Sequence, residues 1–175
     1  EYRRLGNSGL RVSSICLGTM MFGLRTTPAV AGRIMDKARS AGANFLDTAD
    51  VYSKGKSEEI VGRLIGKDRD DWVLATKVAA NWSARPNESG AGRKWLVQEL
   101  DASLKRLKTD YIDLYYLHKD DSGTPIEETV GALGDAIRAG KIRYWGLSNF
   151  ASWRAAQACE TADRMGVPRP IASQP

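Results

Sequence analysis

The sequence predicts an α/β fold in which parallel strands alternate with helices and curl into a (β/α)8 barrel, with about six of the eight βα units present. Three observations predict it. Five apolar, strand-like runs each end on a polar residue, in order Asp47, Lys77, His118, Asn149 and Gln174, and an earlier run, Ile15-Cys16-Leu17, ends at Gly18-Thr19. A unit of helix, glycine, short turn, apolar strand and polar residue recurs around Gly42, Gly140 and Gly166. Neither G-x-G-x-x-G nor a Walker-type loop occurs, which removes the usual signature of the doubly wound nucleotide-binding alternative.

The opening segment Tyr2 to Val12 carries Gly6-Asn7-Ser8-Gly9 between β-like flanks, so a hairpin is expected before the first barrel strand. Strands follow near 15–18, 44–47, 72–76, 112–117, 142–147 and 171–173. Trp72-Val73-Leu74-Ala75 and the run from Ile112 to Leu117 are apolar on consecutive positions, as parallel strands covered on both faces are. Helices are expected near 28–41, 57–65, 93–107, 126–139 and 152–165. Thr27-Pro28 and Thr124-Pro125 each place a hydroxyl before a proline at the first helical position. Thr124 and Glu127 also match a capping box. Ile126, Val130, Leu133 and Ile137 form one apolar stripe, and Leu96, Leu100, Leu104 and Leu107 another. Gly42, Gly140 and Gly166 stand where a helix ends in a left-handed residue.

With 175 residues, 42% hydrophobic and 27% charged, the chain has the composition of a single globular domain over 1–175. A closed barrel takes eight βα units and about 250 residues, so the chain is expected to be the first two-thirds of a longer barrel. No apolar stretch reaches the ~18 residues of a membrane span, and no leader segment is expected. Cys16 and Cys159 have no framework spacing, which suggests a reducing compartment, with cytoplasm as the default. The net charge of +5 is spread in pairs such as Arg3-Arg4 and Arg93-Lys94 and is not interleaved with aromatics. Nucleic acid is therefore not an expected partner.

If the strand ends meet at one mouth, Asp47, Tyr52, Lys77 and His118 form a set able to protonate a carbonyl oxygen. Negative charge grows on that oxygen as hydride adds, and a general acid must quench it. Tyrosine, with an ordinary pKa near ~10, is a poor donor at neutral pH, and a neighbouring ammonium such as Lys77 stabilises its phenolate. Asp47 holds Lys77 charged, and His118 orients the carbonyl. Tyr52 lies five residues past Asp47, within reach of the mouth through a short loop. Taken singly, each residue has a plainer reading as an ion pair, a loop aromatic or a structural histidine. Asp50, Asp113 and Asp120 are read as solvent-facing or capping acids, with Asp113 in need of a partner inside its strand. Phe22 and Trp82 are read as pocket wall or loop packing, and Lys54 and Lys56 as surface lysines.

The segments G-A-N-F-L-D-T-A-D-V-Y at 42–52, L-A-T-K-V at 74–78, D-Y-I-D-L-Y-Y-L-H at 110–118 and G-K-I-R-Y-W-G-L-S-N-F at 140–150 together resemble the aldo-keto reductase superfamily, in its bacterial type. The resemblance covers essentially the whole chain. It implies a (β/α)8 TIM barrel that reduces aldehydes or ketones to alcohols, reversibly, with NADPH, or NADH as the alternative, and no metal. By motif position it implies Asp47, Tyr52, Lys77 and His118 as the catalytic four, with Tyr52 the general acid. It implies cofactor contacts at Gly18, Thr19, Met20, Asp47, Ser148, Asn149 and Gln174. The implied partner is a small carbonyl substrate; substrate identity and oligomeric state are not readable. The family also contains ion-channel-associated β subunits, so a regulatory, partner-binding role is the alternative reading. A barrel hydrolase is disfavoured by the lack of a carboxylate pair at the strand ends.

Overall fold

The computed structural model describes residues 1–175 throughout. An antiparallel hairpin opens the chain, β1 (Tyr2–Arg4) pairing with β2 (Arg11–Ser13) across the glycine-bounded turn. Six parallel strands follow in sequence order: β3 (Cys16–Gly18), β4 (Phe45–Asp47), β5 (Val73–Val78), β6 (Ile112–Leu117), β7 (Ile142–Ser148) and β8 (Ala172–Gln174). The helices between them are α1 (Pro28–Ser40), α2 (Lys56–Ile65), α3 (Arg93–Leu107), α4 (Ile126–Arg138) and α5 (Ser152–Met165). A 3-10 segment, Gly66–Asp71, continues α2. The curled six-stranded sheet is a partial (β/α)8 barrel, as the alternation predicts.

Two apolar layers follow from the period-two alternation of strand side chains. Phe45, Val73, Ala75, Leu114 and Tyr116 line the concave face, and Val12 and the half-buried Leu5 and Leu10 of the hairpin pack against them. Leu46, Leu74, Tyr115, Leu117, Trp145 and Leu147 point the other way into the layer shared with the helices. The same phase carries the polar strand ends inward. Asp47 follows Phe45, Lys77 follows Ala75, His118 follows Tyr116, Ser148 follows Tyr144 and Gly146, and Gln174 follows Ala172. Strand register then sets Gly18 beside Asp47, Lys77 beside Tyr116 and Ser148 beside Gln174.

Thr27 caps α1 as expected, its hydroxyl accepting the Val30 amide at 3.4 Å with Pro28 in the first turn. Gly42, Gly140 and Gly166 all take positive φ at helix ends. The capping box at Thr124 does not form. Thr124 donates its hydroxyl to Asp121 Oδ2 at 2.7 Å, Pro125 takes the cap position, and α4 starts at Ile126. Asp121 outcompetes the helix because it also gathers the amides of Ala91 (2.8 Å) and Gly123 (3.0 Å). Glu127 pairs with Arg164 of α5, and Glu128 instead accepts the first amide of α3, Arg93 N, at 2.8 Å. Acid at a helix N-terminus is favourable, and here a neighbouring helix supplies it.

Asp113 finds its partner within the fold. Its Oδ2 accepts Arg69 at 2.8 Å and the Leu74 amide at 2.9 Å, fastening β6 to β5 at the end away from the mouth. Asp120 pairs with Arg154 at 3.0 Å, not with solvent alone.

Candidate active site

The loop after β4 is built to turn Tyr52 back over the strand ends. Ser53, Lys54 and Gly55 are consecutive left-handed residues, with φ of 52°, 53° and 82°. Left-handed backbone is unfavourable for the first two, so the surroundings must hold it. Ser53 Oγ donates to the Phe22 carbonyl at 2.9 Å, and the Ser57 amide donates to the Tyr52 carbonyl at 3.3 Å. Below them, Thr19, Thr48 and Ser57 share a buried hydroxyl network. Ser57 Oγ lies 2.9 Å from both threonine hydroxyls and donates to the Thr19 carbonyl at 2.8 Å. That network ties the ends of β3 and β4 to the start of α2.

Lys77 is 1% exposed, and its ammonium has three partners. It donates to Asp47 Oδ2 at 2.5 Å, to the Thr48 carbonyl at 3.0 Å and to Tyr52 Oη at 3.3 Å. All three protons of the group are thereby directed. His118 meets Tyr52 edge to face, with ring centroids 5.7 Å apart and planes at 81°. Burial, with help from the positive charges of Lys77 and Lys119, pushes the His118 pKa down to about 4. The imidazole is therefore neutral at physiological pH and offers one N–H and one acceptor nitrogen. The four predicted residues come together, half-buried Tyr52 and His118 standing over a buried Lys77–Asp47 pair.

The other predicted contacts separate into two groups. Gly18, Met20, Asn149 and Gln174 are exposed at the strand ends, and a Cβ at Gly18 would meet nothing within 4 Å. Ser148 is buried, and Asn149 takes φ 56°, from which its Nδ2 donates to the His118 carbonyl at 2.8 Å and to Ser148 Oγ at 3.0 Å. The Asn149 amide in turn donates to the Gln174 carbonyl at 3.0 Å. Thr19 is fully buried, its hydroxyl spent on the Asp47 carbonyl at 3.1 Å and on Ser57. It supports the loop from beneath, and only its neighbours face the mouth.

Phe22 is buried in the outer core, and Trp82 stacks near Trp95 (6.5 Å) beneath the Arg106 guanidinium (5.2 Å). Lys54 and Lys56 are exposed. Of the two roles read for Asp50, facing solvent is overturned, since its carboxyl is wholly buried, while a local capping contact is present, Oδ1 accepting the Val51 amide at 2.7 Å. Sequence reasoning also missed the Thr48 carbonyl as a Lys77 partner and a buried group comprising Glu58, Glu99 and Arg106. Arg106 Nε donates to Glu58 Oε2 at 2.6 Å and its Nη2 to Glu99, while Thr76 Oγ1 donates to Glu58 Oε1 at 2.6 Å. The available signal was Glu58 and Glu99 on helices whose inward faces are apolar apart from the small Ser57 and Ser103.

Parallel barrel strands that bring a lysine, an aspartate and a neutral histidine to one mouth, with a tyrosine turned over them from the loop after β4, define a class of protein suited to proton transfer at a polarised oxygen. The chain belongs to the aldo/keto reductase family, whose model matches residues 14–175. It is 41% identical over 180 aligned residues to proteins of Arabidopsis thaliana and Oryza sativa subsp. japonica, each named a probable voltage-gated potassium channel subunit beta, covering 100% of this chain and 54% of each relative. It is 42% identical over 175 aligned residues to the uncharacterized oxidoreductase YrpG of Bacillus subtilis (strain 168), covering 94% of this chain and 54% of that protein. The chain spans about half the length of the curated relatives it matches. No helix is long and apolar enough to cross a membrane.

Proposed function

We propose that this chain carries the catalytic residues of a nicotinamide-dependent carbonyl reductase, which converts an aldehyde or ketone to an alcohol, reversibly, with NADPH and with NADH as the alternative cofactor. The observation that carries this reading is the buried Lys77 ammonium between Asp47 Oδ2 and Tyr52 Oη. The strand-end residues fit such a cofactor. Asp47 Oδ1 is a buried acceptor without a partner, and the exposed Gln174 amide and the free oxygen of the Asn149 amide offer a donor and acceptors suited to a carboxamide. Gly18, Met20, Asp47, Ser148, Asn149 and Gln174 would hold it, with Thr19 bracing their loop. When bound, the cofactor supplies the hydride.

The chain's own residues do the rest. Tyr52 Oη holds the proton that the carbonyl oxygen takes as charge develops on it. The Lys77 ammonium stabilises the phenolate left behind, and Asp47 keeps that ammonium aimed. The neutral His118 donates one hydrogen bond to the substrate oxygen and sets its approach to Tyr52. In alcohol oxidation the same proton returns to Tyr52. A cytoplasmic setting belongs to this reading, in keeping with two free cysteines.

The test is Tyr52→Phe in the full protein. Loss of the proton donor is expected to lower kcat for reduction of a small aldehyde by about 10²–10⁴-fold. Cofactor affinity, read by quenching of NADPH fluorescence, should stay within a few-fold. Undiminished turnover in Tyr52→Phe would remove the reading. A second reading is favoured by the relatives named channel β subunits: a reductase-like regulatory subunit with little turnover. Turnover beyond one equivalent of cofactor separates the two.

A further inference from the structure

Asp50 lies between Asp47 and Tyr52 yet faces away from the mouth, into the layer between the sheet and the helices. Its carboxyl is wholly buried, Oδ1 accepting the Val51 amide at 2.7 Å and Oδ2 having no partner. Its own amide donates to the Lys77 carbonyl at 3.2 Å. The charged and titratable groups facing it are Glu58 from α2, Glu99 and Arg106 from α3, and Tyr115 from β6. Only one of these is a cation, and Arg106 is already shared between Glu58 and Glu99. The other nearby cation, Lys77, is committed on the opposite face of the sheet to Asp47, Thr48 and Tyr52. A third buried carboxylate has nothing to pair with, and an unpaired buried charge is avoided by taking up a proton. The unpartnered hydroxyl of Tyr115 and indole nitrogen of Trp95, the latter one turn before Glu99 on α3, mark the same layer as one that holds neutral polar groups.

We propose that Asp50 is a positioning residue that works as a neutral carboxylic acid. By capping the Val51 amide it holds segment 48–55, and with it Tyr52, against Lys77; once ionised in alkaline solution, the carboxylate is repelled by Glu58 and Glu99 and drawn out of the layer towards water, carrying the segment with it and releasing Tyr52. The proposal rests on the carbonyl-reductase reading for its kinetic consequence but not for its structural one. Burial first, and then the negative charges of Glu58 and Glu99, push the Asp50 pKa up to about 8. An acid raised in this way contributes stability that is full below its unfolded value and is lost as pH rises through the folded one.

The experiment compares wild type with Asp50→Asn in the full protein from pH 6 to 10. The amide retains both an acceptor for Val51 and a donor in place of the acid hydroxyl, and it cannot ionise. Two readouts need no activity: the Val51 amide shift and the Tyr52–His118 ring contact, both by NMR. In wild type the Val51 shift is expected to titrate near pH 8 with the ring contact weakening in step, and in Asp50→Asn neither should change. The third readout is kcat for aldehyde reduction. At pH 9 wild type should fall roughly tenfold further below its pH 7 value than the variant does. A Val51 shift that does not titrate in wild type overturns the proposal, as does a ring contact with the same pH dependence in both proteins. If no carbonyl is reduced at any pH, the functional reading fails, and the NMR readouts still decide for or against Asp50.

Discussion

Lys77 donates to Tyr52 Oη across 3.3 Å from a position that is 1% exposed, so the charge beside the phenol is fixed by the fold and shielded from water. Water-excluded electrostatics of this kind are strong because the groups need no rearrangement as the reaction proceeds. They are also costly to break.

Replacing one partner of the Lys77–Asp47 pair leaves the other buried without a counter-charge. Lys77→Met is therefore expected to destabilise the protein by about 3–5 kcal/mol and, on the carbonyl-reductase proposal, to abolish reduction. In Lys77→Met/Asp47→Leu no charge is stranded, and the double variant should be more stable than the two single losses added together predict. Urea denaturation of the four proteins of the cycle checks this. Additive losses would mean that the pair contributes no coupling.

His118 is the only histidine in the chain, so one ring resonance reports it without overlap. Burial, then Lys77 and Lys119, hold its pKa at about 4, below the ordinary 6.5. The sign for a depressed histidine is that the unfolded chain takes up the proton first. Stability is then full above about pH 6.5 and is lost as pH falls towards 4. The Cε1 proton shift should titrate near pH 4, and turnover should show no histidine step between pH 6 and 7. A midpoint near 6.5 would mean that the ring is solvated and that burial and the two lysines do not hold it neutral.

Most of the fold was legible in the sequence because its signals are local: glycine at helix ends, apolar runs at strands, proline after Thr27. The three strand-end residues of the candidate site were legible for the same reason, since period-two phase carries Asp47, Lys77 and His118 to the face shared with Phe45, Ala75 and Tyr116. Thr124 misled because capping is a competition, and Asp121 won the hydroxyl through contacts 30 residues away at Ala91. The burial of Asp50 was not legible, because an acid two residues before Tyr52 reads as solvent-facing or capping until the helices packed over it are known. The burial of Thr19 likewise depends on Ser57, 38 residues distant.

Arg106 is the sole cation among three buried carboxyls, and it also covers the Trp82 ring. Arg106→Met keeps most of the volume but strands Glu58 and Glu99. A loss of about 3–5 kcal/mol is expected at pH 7. The deficit should shrink as pH falls, because burial raises the Glu99 pKa and a protonated Glu99 needs no cation. Thermal unfolding of wild type and variant at pH 5 and pH 8 tests this, and an equal deficit at both would show that packing, not charge, is what Arg106 supplies.

Asn149 combines a strained backbone with two side-chain bonds, and the two can be separated. At φ 56° a residue with a Cβ is disfavoured, and asparagine tolerates the region better than alanine. Asn149→Ala should lose about 1 kcal/mol or more from strain, together with the bonds to the His118 carbonyl and Ser148 Oγ. Asn149→Gly relieves the strain but still lacks the amide, so its stability should lie close to wild type. If the amide orients His118 and meets the cofactor, both variants should bind NADPH several-fold more weakly. If Asn149 serves only the turn, the glycine variant should bind as wild type does. Chemical denaturation and NADPH fluorescence on the three proteins distinguish a backbone role from a binding role at this one position.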